Sequence, residues 1–372
     1  MLIGVPKETK DHEFRVGVTP AGVHALAAAG HEIRVQTNAG AEIGYADADF
    51  TAAGARIVPD AAAVYACPLV VKVKEPQPAE LALLHAGQIV FCYFHLAASI
   101  ELTRALIEKR ILAVAYETVT DTGGGLPLLI PMSELAGRIA VHAGANYLHM
   151  AAGGAGILLG GVPGVQPGKV LVIGAGTVGT QAAKMALGLG ADVTILDVNL
   201  QRLRYLDDVF GPRLKTRYSA PHAIAELIHG ADLLVSSISI PGKRAPKLLT
   251  RDMVKSMKRG AVLVDVAIDQ GGSAETSRPT THTAPTYIEE GVVHYCVTNM
   301  PAACARTATE ALTQATLPLL QILARDPQAA LRDHPGLRAG LQLHRGQVTH
   351  PGLAEDLGMP YTAADTFLPA EE

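Results

Sequence analysis

Tryptophan is absent from the 372 residues, aromatic residues of all kinds make up only 4%, and cysteine occurs four times. Each shortage excludes something. So few rings, with 49% hydrophobic residues and 37 glycines, argue against an all-β core and for Ala/Val/Leu/Gly layers of helix on parallel sheet. Cys67, Cys92, Cys296 and Cys304 show neither CxxC nor zinc-ligand spacing. Cys92 and Cys296 lie in apolar runs where free thiols pack as small hydrophobes, so a reducing, cytoplasmic setting is expected. A net charge of −4 without any Lys/Arg block offers no field for nucleic acid. No segment holds the roughly 18 uninterrupted apolar residues of a membrane span. The opening residues, "MLIGVPKETKDHEFRV", have no signal-peptide core, so a soluble, non-exported protein without membrane or nucleic-acid partners is expected.

What is present is repetition. A length prior of about 100 to 200 residues per domain suggests two domains. Residues 1–118 alternate short apolar strands ("LIGV", "EIRVQT", "LVVKVK", "IVFCYF", "LAVAYE") with helix-like stretches such as "PAGVHALAAAG" and "ELTRALIEKR". That alternation predicts right-handed βαβ units and a parallel sheet. Ser133 is an N-cap candidate for a long helix, "ELAGRIAVHAGANYLHMAAGG", which bridges to a second α/β pattern beginning at Lys169. There the strands are "VLVIG", "DVTILD", "TRYS", "DLLVSSI", "AVLVDVA" and "VVHYCV". The tail from "TATEALTQATLPLLQILARD" reads as helix returning to the first domain. The expected fold is α/β: two Rossmann-like doubly wound domains with a cleft between them. Residues 1–128 plus 307–372 form the substrate domain and 129–306 the dinucleotide domain.

The strongest motif is "VLVIGAGTVGTQAAKMALGLGADVTILD". Gly174, Gly176 and Gly179 form GxGxxG directly after a strand and at the opening of a helix. Asp197 ends the next strand about 20 residues on, the position that accepts from an adenosine ribose hydroxyl. The carboxylate would repel a 2′-phosphate, so NAD is the expected cofactor, with Arg202 and Arg204 leaving NADP as the minority reading.

Ligands of open α/β sheets gather beyond the carboxyl ends of the strands. In the second domain that rule selects Ser219, Ile238, Ser239, Asp269, Asn299 and Met300. In the first it selects Arg15, Lys74, His95 and Glu117. Each residue alone has a plainer explanation: a lone histidine beside apolar residues is usually a core residue, and Lys72 and Lys74 could both project from an edge strand. Their conjunction points elsewhere. Arg15 offers a planar fork for a carboxylate, Lys74 can hydrogen-bond a carbonyl oxygen, and His95 or Asp269 can move protons. That set suits a small 2-oxo acid and its 2-amino or 2-hydroxy partner.

The segments "GVPKETKDHEFRVGVTPAGV", "KVKEP", "FHLAAS", "PMSELAGR", "GGVPGV", "GAGTVG", "AIDQGG", "ETSRPTTH" and "NMPA", in order, resemble the bacterial L-alanine dehydrogenase family. The resemblance implies NAD-dependent, reversible conversion of L-alanine to pyruvate and ammonium by a homohexamer. It implies substrate binding by Arg15 and Lys74 and a catalytic pair, His95 and Asp269. Cofactor contacts are implied at Ser133, Thr177, Val178, Asp197, Arg202, Ser219, Ile238, Ser239, Val266, Ala267, Ile268, Asp269, Arg278, Val297, Thr298, Asn299 and Met300. Some relatives hold a divalent cation between a carboxylate at the position of Glu117 and a histidine at that of Asp326; the acidic residue here implies no metal. The alternatives are the NAD-binding subunit of a transhydrogenase, a lysine- or saccharopine-type dehydrogenase, and a non-catalytic NAD sensor.

Overall fold

The computed structural model describes residues 1–238 and 245–368. The chain divides into two compact units, unit 1 from Met1–Met132 and Cys304–Glu372 and unit 2 from Ser133–Ala303. Among the described residues no helix is long and apolar enough to cross a membrane.

Unit 1 is built on a sheet with β1 (Leu2–Val5), β2 (Glu32–Gln36), β3 (Arg56–Val58), β4 (Leu69–Val71), β5 (Ile89–Cys92) and β6 (Leu112–Ala115). Unit 2 has β7 (Lys169–Ile173), β8 (Asp192–Asp197), β9 (Leu214–Tyr218), β10 (Leu233–Ser236), β11 (Val262–Asp265), β12 (Thr286–Glu289) and β13 (Val292–Tyr295). The last strands, β14 (Leu341–His344) and β15 (Gln347–Val348), return to the unit 1 sheet. The spatial orders are β15-β14-β6-β5-β4-β1-β2-β3 and β12-β13-β11-β10-β7-β8-β9. Both contain the 3-2-1-4-5 progression of a doubly wound sheet, which reverses direction between β1 and β4 in unit 1 and between β7 and β10 in unit 2. Strands β4, β5 and β6 are buried along their whole length. Helices cover both faces of such strands, hence runs like "IVFC" rather than alternation.

The edges depart from the sequence reading. β14 pairs antiparallel with β6, β15 antiparallel with β14, and β12 antiparallel with β13, so both sheets are mixed. The tail is therefore not helical throughout: after helix Ala305–Arg325, Leu341 and Leu343 are buried beside Val114 and Ala113. Four residues are too few to announce a strand by periodicity; the open edge of β6 decides their state. "LVVKVK" also stops early, with β4 ending at Val71.

Ser133 is not an N-cap. The helix runs over Ile130–Tyr147 and contains it. Pro131 explains the earlier start, since a proline in the first turn gives up an amide that has no partner there. The chain passes between the units inside this helix.

Candidate active site

In unit 1 the loop after β1 carries Arg15 and the segment after β4 carries Lys74, so the two cations leave the strands that flank the switch point. Arg15 is only 1% exposed. Its Nε and Nη2 donate to the two oxygens of buried Glu13 at 2.6 and 2.5 Å, and Nη1 points at the Met132 sulfur at 3.1 Å. Burial opposes the guanidinium's charge, but hydrogen bonding and attraction to Glu13 prevail and raise its pKa. Glu13 was not singled out from sequence, although a carboxylate two residues before a buried arginine is a readable signal.

Lys72 and Lys74 separate sharply. Lys72 is fully buried, with Nζ 2.8 Å from Glu80 and 3.2 Å from Glu8. Burial disfavours its ammonium, yet Glu8, Tyr65 and Glu80 outweigh that and raise its pKa. Glu8 also accepts the Val73 amide at 2.7 Å, and Lys10 pairs with Glu75 at 2.6 Å. The residues on either side of Lys74 are thus fastened to the loop that bears Arg15. β4 is interior, between β1 and β5, so the edge-strand explanation of the lysine pair does not hold.

Lys74 Nζ lies 3.5 Å from His95 Nε2 and 5.9 Å from the centre of the Tyr93 ring. His95 stacks on Tyr93, with centroids 6.0 Å apart and planes at 7°. Its backbone is left-handed, φ 49°, a conformation that turns the chain sharply out of β5 and that histidine adopts more readily than branched residues. Glu117 holds the turn, accepting the His95 amide at 2.6 Å and the Phe94 amide at 3.1 Å. Asp326, for its part, caps helix Pro327–Asp333 by accepting two amides. Tyr93 donates its hydroxyl to the Leu128 carbonyl at 2.5 Å, and burial raises its pKa against the opposing charge of Arg15.

Unit 2 shows what each motif glycine does. Gly174 has φ 98°. A Cβ on Gly179 would fall 1.8 Å from the Gly174 carbonyl oxygen, so any side chain would push the helix Thr177–Gly188 off the turn, whereas one on Gly176 would meet nothing within 4 Å. The space above Gly176 is open at the start of a helix, where an anion is favoured. Thr177 is exposed and Val178 half-buried there. A Cβ on Gly137 would come 2.2 Å from the Val178 carbonyl, so the helix bearing Ser133 runs hard against this one. Asp197 accepts the Ala175 amide at 2.5 Å and the Asn199 amide at 2.7 Å. Arg202 donates to the Ala175 carbonyl and to the Thr180 hydroxyl, at 3.1 and 3.0 Å. These contacts join the phosphate-type turn to the acid at the end of β8, and the open turn with its acid fits a dinucleotide.

The other strand ends contribute separately. Ser219 follows β9, its amide bonded to the Asp197 carbonyl at 3.0 Å, and Ile238 follows β10 half-buried; Ser239 lies outside the described residues. Val266, Ala267, Ile268 and Asp269 form the tight turn Val266–Gln270 after β11, in which Asp269 is exposed. Buried Asp265 ties that turn down by accepting from the Ala267 and Ser273 amides and the Ser277 hydroxyl. After β13 come buried Val297, half-buried Thr298, Asn299 with φ 57° and buried Met300. Arg278 is exposed above the ring of Tyr287. Arg15, Lys74 and His95 belong to unit 1, and Asp269 with the dinucleotide-type residues to unit 2.

Comparison with known proteins follows this division closely. Residues 4–136 match the family model "Alanine dehydrogenase/PNT, N-terminal domain" and residues 140–351 its C-terminal-domain counterpart. An alanine dehydrogenase of Halomonas elongata is 54% identical over 370 residues, covering 99% of this chain and all of the relative. Among solved structures, an L-alanine dehydrogenase superposes with a TM-score of 0.94 at 49% identity, covering 96% of this chain and 99% of the other. A transhydrogenase from Sinorhizobium meliloti gives 0.80 at 25% identity, over 94% and 99% of the two chains.

Proposed function

This chain belongs to the alanine dehydrogenase/PNT family, and from that premise we propose how its residues divide the work of interconverting L-alanine with pyruvate and ammonium. It is a nicotinamide-dependent oxidoreductase acting on L-alanine. NAD is the cofactor. Two observations support NAD over its phosphorylated form: Asp197 ends β8 bonded to the glycine turn, and a carboxylate there disfavours a 2′-phosphate, while Arg202 is committed to Ala175 and Thr180. Gly174, Gly176, Gly179, Asp197, Ser219, Arg278 and the turn after β11 would hold it. When bound, the nicotinamide supplies the acceptor for the hydride leaving the substrate Cα.

The chain's own residues do the rest. Arg15, held along its Nε–Nη2 edge by Glu13, binds the substrate carboxylate. Lys74 hydrogen-bonds the developing carbonyl group and favours negative charge on it. His95 takes the proton released as water adds to the imine formed by oxidation, and returns it to the departing amine. Asp269 orients the amine and shares the proton work. The single strongest support for these roles is the cluster at the unit 1 switch point, with Lys74 3.5 Å from His95 and both neighbours of Lys74 anchored. The balance is L-alanine, NAD⁺ and water giving pyruvate, ammonium, NADH and a proton.

A cytoplasmic homo-oligomer, a hexamer, completes the proposal. Met150, Leu158, Val162 and Val165, each more than half exposed on the one segment 150–165, support assembly, since soluble monomers rarely leave a large apolar patch in the open. Spectrophotometry tests the reaction: NADH oxidation should require pyruvate and ammonium together. Comparable turnover with pyruvate alone would replace this reading with a 2-hydroxy-acid dehydrogenase.

A further inference from the structure

Arg278 stands on an irregular segment, yet its side chain is not left to itself. Its guanidinium carbon lies 4.0 Å from the centre of the Tyr287 ring, and its backbone N–H donates to the Tyr287 hydroxyl at 2.9 Å. That hydroxyl in turn donates to the Thr276 carbonyl at 2.7 Å. The Tyr287 ring also stacks on His294, with centroids 4.9 Å apart and planes at 19°. Tyr287 and His294 are direct cross-strand partners in the β12–β13 ladder, the arrangement in which facing side chains support one another most.

His294 anchors the column. It is fully buried; Nδ1 bonds the Val292 carbonyl at 3.0 Å and Nε2 the Thr276 hydroxyl at 2.8 Å. A carbonyl can only accept, so Nδ1 carries the proton and Nε2 receives the Thr276 O–H. Burial lowers the imidazole's pKa, which fits this neutral tautomer. Thr276 therefore holds both the base of the column, through its hydroxyl, and its middle, through its carbonyl, two residues before Arg278.

We infer that Tyr287 is a positioning residue for the cofactor: it presents Arg278 to the dinucleotide, binding that arginine at its guanidinium face and at its backbone amide. The inference rests on the cofactor role of Arg278 in the proposed function. Tyr287 itself touches no reacting atom. Loss of its ring leaves Arg278 on a coil with its side-chain rotamers open, so ordering it again costs affinity at each binding event.

The test is a double-mutant cycle in the full-length protein, read as the Kd for NADH by fluorescence titration, with thermal midpoints on the same samples. Tyr287→Leu should raise Kd by about two- to fivefold, the size of one exposed cation–π contact. Tyr287→Phe, which keeps the ring and loses the hydroxyl, should raise it by less. In the Arg278→Ala background Tyr287→Leu should raise Kd no further, and the KM for L-alanine at saturating cofactor should stay put in both Tyr287 variants. An Arg278→Ala protein with unchanged Kd would overturn the cofactor role of Arg278 and the inference with it. A raised Kd in Arg278→Ala combined with unchanged Kd in Tyr287→Leu, or with additive losses in the double variant, would overturn the inference alone. Should Tyr287→Leu fail to fold, the Phe variant with and without Arg278→Ala decides on the same criterion.

Discussion

Replacing Glu13 by Ala should be among the most damaging single changes in unit 1, and for a reason separable from catalysis. The carboxylate and the Arg15 guanidinium are 0% and 1% exposed in their side chains and share two hydrogen bonds of 2.6 and 2.5 Å, with a third to the Arg15 amide at 3.2 Å. Arginine does not shed its proton in a protein, so the truncation takes from a buried cation the carboxylate to which both Nε and Nη2 donate. Removing one partner of a buried pair costs about 3–5 kcal/mol, a large part of the roughly 5–15 kcal/mol that holds a domain together. With a urea m-value of about 2.5 kcal/mol/M, the unfolding midpoint should fall by about 1–2 M. The double variant Glu13→Leu/Arg15→Met removes both charges and fills the space, so it should recover most of that loss, because apolar replacement of a buried pair is often neutral or better. Pyruvate binding should nevertheless be lost in both. Circular dichroism in urea gives the first quantity; the fluorescence change of bound NADH on titration with pyruvate gives the second. A double variant no more stable than Glu13→Ala, or a Glu13→Ala protein with an unmoved midpoint, would refute the reasoning.

Other consequences can be measured alongside. Asp197→Ala should narrow the NAD over NADP preference, as a ratio of kcat/KM values, by at least about tenfold, the worth of one hydrogen bond to a charged group; an unchanged ratio places the ribose elsewhere. His95→Ala should lower kcat for alanine oxidation by about 10² or more while NADH binding largely survives, and a destabilised but fully active variant would return His95 to the status of a core residue. His350 caps helix Pro351–Leu357 by accepting the Leu353 amide at Nδ1, and burial lowers its pKa. The unfolded chain then binds more protons below about pH 6.5, so stability falls with pH through that window. His350→Asn keeps a good cap without the titration, and its urea midpoint should drop less than wild type between pH 7.5 and 5.5. An equal drop in both proteins would show that His350 does not carry this dependence.

The glycine turn after β7 was legible in the residues because its requirements are local. Gly174, Gly176 and Gly179 answer to one strand, one turn and one helix, and the clash a side chain at Gly179 would meet is with the carbonyl of Gly174 itself. The strand-end rule likewise reached Arg15, Lys74 and His95, since buried parallel strands announce where they stop. Helix starts were less legible: Ser133 looked like a cap, but Pro131 had already begun the turn. Ser239 falls outside the described residues.

Which charges meet was a tertiary matter. Lys72 and Lys74 are alike in sequence, and only the packing of β4 between β1 and β5 buries one among Glu8 and Glu80 and turns the other to His95. Tyr287 and His294 sit on either side of a turn, and the register of β12 on β13 makes them the column beneath Arg278. The strands Leu341–His344 and Gln347–Val348 exist because β6 left an edge to pair with. Periodicity and turn chemistry act over a few residues, so the chain alone determines them; the partner of a buried charge depends on which strand lies beside which, and burying the whole sheet settles that.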